Sequence, residues 1–98
     1  MRFPRRFIKV AGYKVKLVYK KNPKSEKGED LNGEAHPDEN IIIVRKGLDK
    51  YKKAEVILHE ALHFVSENYE LHLTERQKCV LAVSVINTIR ENKINFLD

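Results

Sequence analysis

From residue 50 to about residue 70 the chain has neither glycine nor proline, and helix formers recur throughout, so this stretch must fold as one long helix. Asp49, just after Gly47 and Leu48, has the short acceptor side chain of an N-cap. Around the helical wheel Ile57, Leu58, Ala61, Leu62, Phe64 and Val65 point in most directions. They leave a polar strip of Glu55, His59, Glu60, His63, Ser66 and Glu67. Residues 71–73 interrupt the pattern. Thr74, with Gln77 three positions on, then has the form of a capping box that opens a second helix running to about residue 92. A short turn between two such helices makes them antiparallel neighbours.

The first half of the chain reads differently. Residues 7–11 and 13–19 alternate in polarity on either side of Gly12, the pattern of a β-hairpin with one buried face, and Tyr13, Val15, Leu17 and Tyr19 share a face of its second strand. Residues 20–33, with Asn22-Pro23 and Gly28, read as a surface loop. Residues 33–36 suit a short strand, residues 37–40 a turn, and the β-branched run Ile41-Ile42-Ile43-Val44 another strand. The expected architecture is therefore α+β: a small antiparallel sheet of three to four strands packed on two long helices, with room for a short extra helix. At 98 residues the chain fits one domain, spanning 1–98.

Charge narrows the partners. The net charge is +5, yet residues 1–28 carry ten Lys or Arg against Glu26 alone, so the remainder is mildly acidic. Lysines on the solvent face of strands account for this more readily than a nucleic-acid surface, because aromatic stacking platforms and recognised nucleic-acid motifs are missing. No apolar run approaches the roughly 20 residues of a membrane span, and the basic N-terminus lacks the apolar core of a signal peptide. The expectation is a cytoplasmic protein with no membrane span. Cys79 is the one cysteine, which rules out an intramolecular disulfide.

The chemistry is concentrated in His59-Glu60-Ala61-Leu62-His63. Residues four apart lie one above the other on a helix, so the two imidazoles reach one point, as a tetrahedral zinc ion requires. Glu60 sits about 100° around the helix from His59, poorly placed to ligate but well placed to reach a water held by the metal, as general base and then general acid. With 4 histidines among 98 residues, chance produces such a motif in only about 1.6% of sequences of this composition. The rival reading is the wet face of an amphipathic helix.

Two histidines and a water leave one protein ligand to find. A metzincin continuation would need Gly and His where the chain has Ser66 and Tyr69. His72 falls in the inter-helix break, and Glu67 and Glu70 lie too far along the motif helix. The second helix is the better source, and both Glu75 and Cys79 are expected to look toward the core from it. Cys79 is preferred because it lies deeper in the helix and thiolate is an excellent zinc ligand; Glu75 is the alternative.

The order hairpin, strand, H-E-x-x-H helix, short turn and second helix resembles the minigluzincins, a family of very small archaeal zinc-metallopeptidase-like proteins. The likeness spans residues 7 to about 92, with His59-Glu60-Ala61-Leu62-His63 its most specific part. The resemblance implies zinc on His59 and His63, Glu60 as the catalytic residue, a ligand from the second helix, and a peptide or protein substrate held in extended form along a sheet-edge strand. Residues 41–44 are the candidate for that strand. Where related sequences tend to carry Glu-x-x-Ala, this one reads Cys79-Val80-Leu81-Ala82. Latent family members block their own cleft, a role open here to residues 1–5 or to residues 93–98. The expected function is a zinc-dependent metallopeptidase of this minimal type or its zymogen. Two alternatives stay open, a non-catalytic zinc-stabilised binding module and, less favoured, a basic nucleic-acid-binding protein; the oligomeric state, a dimer included, is open too.

Overall fold

The computed structural model describes residues 7–92. Four strands and two long helices follow one another as β1 (Phe7–Val10), β2 (Tyr13–Lys20), β3 (Gly33–His36), β4 (Ile41–Arg45), α1 (Lys50–Asn68) and α2 (Glu75–Asn92), with a single 3-10 turn, Pro37–Glu39, between β3 and β4. The architecture is α+β, as the sequence leads one to expect. Both segments proposed as cleft-blockers, residues 1–5 and 93–98, lie outside the described residues.

The hairpin β1–β2 closes through Ala11 and Gly12, with Val10 opposite Tyr13. Both turn residues have positive φ, 51° and 83°, the two-residue geometry whose twist matches that of the strands. Val15 and Leu17 are buried, whereas Tyr13, at the turn end of the same face, is half exposed. On the opposite face Lys14, Lys16 and Lys20 are exposed, and Lys9 faces solvent as well.

The sheet is mixed rather than wholly antiparallel. Its order is β1-β2-β4-β3, and β2 runs parallel to β4, from Lys16 beside Ile41 to Lys20 beside Arg45. Parallel neighbours need a connection that carries the chain back to its starting end. Here residues 21–32 and β3 do so. β3 runs antiparallel to β4, from Gly33 beside Val44 to His36 beside Ile41, and the turn after it reverses the chain with Asn40 at φ 54°. β4 is thus an interior strand, with Ile42 and Val44 fully buried. Among the described residues β3 is an edge strand, so the expectation that residues 41–44 offer a free backbone edge is corrected: that edge belongs to β3.

Both helix starts form as the sequence implies. Asp49 accepts from the backbone N–H groups of Tyr51 and Lys52 at 3.0 and 2.9 Å. Thr74 and Gln77 bond reciprocally, at 2.9 and 3.1 Å. Between the helices, buried Ser66 pins the turn by accepting from Leu73 N–H at 2.8 Å through its hydroxyl and from Leu71 N–H at 2.9 Å through its carbonyl. The helix α1 is the middle layer, packed on β1, β3 and β4 on one side and on α2 on the other. That explains an apolar surface spread over most of its circumference. Phe64 and Ile57, each 1% exposed, anchor it in the core with Val15, Leu17, Ile42 and Val44.

Candidate metal centre

His59, Glu60 and His63 come from the middle of α1, and each offers a ligand atom within 4.8 Å of the others, so the group could hold a metal ion. The imidazole centroids are 5.4 Å apart. Because the turn held by Ser66 brings the start of α2 back over α1, Glu75 meets both rings. Its Oε2 lies 3.2 Å from His59 Nε2 and its Oε1 lies 3.1 Å from His63 Nε2. Donors spaced about 2.05 Å from a tetrahedral zinc would stand about 3.3 Å from one another. Each Glu75 oxygen stands at about that distance from one imidazole, and two imidazoles and a carboxylate are donor types that zinc accepts.

Glu60 is 8% exposed, with Oε1 3.5 Å from His63 Nε2. Burial, reinforced by repulsion from Glu75 and Glu34 and only partly offset by Lys78, pushes its pKa up to about 7. The other groups respond in turn. Burial and the nearby Lys78 and His59 hold the His63 imidazole below its ordinary value against the pull of Glu75. For Glu75, burial works against ionisation, but Lys78, His63 and His59 outweigh it and keep the carboxyl below its usual range.

The two proposed third ligands occupy different environments. Glu75 stands against both imidazoles. Cys79, expected to look toward the core, is exposed instead, one turn further along on the wall of the same cleft. The buried stripe of α2 is Lys78, Ala82 and Ile86. His72 is exposed in the inter-helix turn.

Two residues at the site were not singled out by their sequence context. Lys78 is 7% exposed and puts its Nζ 2.9 Å from Glu75 Oε1 and 3.0 Å from His63 Nδ1. The signal for it was its spacing, four and eight residues before Ala82 and Ile86. Gly33 is the other. A Cβ there would lie 2.5 Å from Val56 Cγ1 and 3.2 Å from Glu60 Oε2, so only glycine lets the first residue of β3 sit directly on the motif helix. Gly33, with Asn32, Val56, Ala82 and Val83, lines a cleft of about 280 Å³ that opens beside His59 and Glu60.

No helix among the described residues is long and apolar enough to cross a membrane. Comparison with known proteins finds no matching family model, curated protein or solved structure.

Proposed function

We propose that the protein is a zinc-dependent peptidase of the minimal gluzincin type, with His59, His63 and Glu75 as ligands and Glu60 as general base and acid. The observation that carries this reading is the convergence of the Glu75 carboxylate and both imidazoles beside a buried carboxyl group. In it Glu75 takes the place first given to Cys79, because its carboxylate spans both rings while the thiol lies one turn further along the cleft wall.

Bound at these three residues, zinc would supply an acidified water and polarise the scissile carbonyl. The chain's own residues do the rest. Without the ion, burial pushes the Glu60 pKa up to about 7, and beside a metal-held water the same carboxyl would accept a proton and return it to a leaving amine. Gly33 keeps the edge of β3 against Glu60 without a side chain between them. Among the described residues no strand pairs with the outer edge of β3, which is suited to pairing with an extended peptide through backbone hydrogen bonds. The substrate is accordingly a peptide or an unfolded segment of protein.

Elemental analysis and a general protease assay, run with and without trimming of both termini, test the reading. Near-stoichiometric zinc is expected, lost in the double variant His59→Ala, His63→Ala. Zinc-dependent cleavage is expected to disappear in Glu60→Gln while zinc remains bound. Zinc retained by the double variant would overturn the assignment. Zinc that folds the protein without cleavage under any of these conditions would favour the zinc-stabilised binding module.

A further inference from the structure

Lys78 is the second buried charge at the site, and its contacts fix the direction of a hydrogen bond. An ammonium only donates, so at 3.0 Å from Lys78 Nζ the Nδ1 atom of His63 is an acceptor. The imidazole proton then sits on Nε2. That nitrogen faces Glu75 Oε1 at 3.1 Å and Glu60 Oε1 at 3.5 Å, and as an N–H it matches both carboxylates. A metal ligand needs the opposite arrangement, with the Nε2 lone pair free and Nδ1–H donating to an acceptor. Lys78 also holds Glu75 Oε1 at 2.9 Å and places a positive charge where an incoming cation would be repelled. With its side chain almost wholly enclosed, the ammonium is not diluted by solvent.

We propose that Lys78 is an internal cation that opposes metal binding at this site, and that metal loading requires its ammonium to withdraw from His63 Nδ1. The inference rests on the reading of His59, His63 and Glu75 as a metal site. Lys78 is in this sense a positioning residue: it acts through the tautomer of His63 and the charge on Glu75. Because it competes with the ion for the same two side chains, it lowers the apparent affinity of the site for any divalent metal.

Two measurements on the full chain test this. Zinc affinity is determined by competition with a chromophoric chelator for wild type, Lys78→Met, Lys78→Gln and Lys78→Arg. Removing the charge is expected to tighten zinc binding by about tenfold or more, whereas Lys78→Arg stays close to wild type. Lys78→Gln keeps a polar group beside Glu75 if the methionine variant does not fold. In the metal-free wild type, imidazole 15N shifts are expected to show His63 protonated on Nε2, a signature that a merely structural lysine would not impose. Unchanged or weaker zinc binding in the neutral variants, or an Nδ1-protonated His63, would overturn the proposal while leaving the metal site standing. Failure of wild type and all variants to bind zinc would overturn both.

Discussion

Glu60 is held where its charge is poorly supported, and this makes the metal-free protein sensitive to pH. Its folded pKa is raised from 4.5 to about 7, so the protonated carboxyl favours the fold. That stability is fully present below about pH 4.5 and is lost as pH rises through about 7, a change of about 3 kcal/mol. In chelator-treated protein, Glu60→Gln is expected to flatten this slope and to be the more stable form above pH 7. Denaturant titrations at pH 5 and pH 8 would check it; parallel slopes would show that Glu60 ionises freely. Residues of this kind differ in how legible they are. The pair His59 and His63 is readable from spacing alone. That Glu75 rather than Cys79 meets the imidazoles was readable too, had direction outweighed depth: Ala82, Ile86 and Ile89 centre about 13° from Glu75 but about 53° from Cys79 on the wheel. The burial of Lys78 was less so, since a lysine on an inward stripe is ordinarily assumed to reach solvent.

Among the elements, the helix ends were legible because their signals are local. Asp49, Thr74 and Gln77 each bond within three residues of themselves. The strand pairing was not, because alternation marks a strand without naming its neighbour. The β-branched run 41–44 is equally consistent with an edge and with an interior position, and only the assembled sheet shows β4 between β2 and β3. The strand β3 carries its own test. A methyl group at Gly33 would stand 2.5 Å from Val56 Cγ1, so Gly33→Ala must push the edge strand off α1. A stability loss of about 1–3 kcal/mol is expected from such overpacking, measurable in urea. Under the proposed function cleavage should fall as well, because the same shift moves the strand away from Glu60.

Across the whole molecule, α1 is the layer on which everything else rests. Phe64 is one of its most completely buried side chains, and Phe64→Ala is expected to cost about 3–5 kcal/mol, a large share of the roughly 5–15 kcal/mol available to a small domain. The urea midpoint should drop with its slope unchanged if folding stays two-state. The layer order was half legible. The short turn announced that α2 would pack antiparallel on α1, as it does, but not that the layers would stack with α1 between the sheet and α2.

His59, Glu60, His63, Glu75 and Lys78 all fall within residues 59–78 of one helical hairpin, while Gly33 is the sheet's approach to them. Under the proposed function, the molecule would separate its chemistry from its selectivity along the chain. Exchange or lengthening of the strands would alter what is admitted to the cleft without rewriting what happens inside it, and a change in the hairpin would do the reverse.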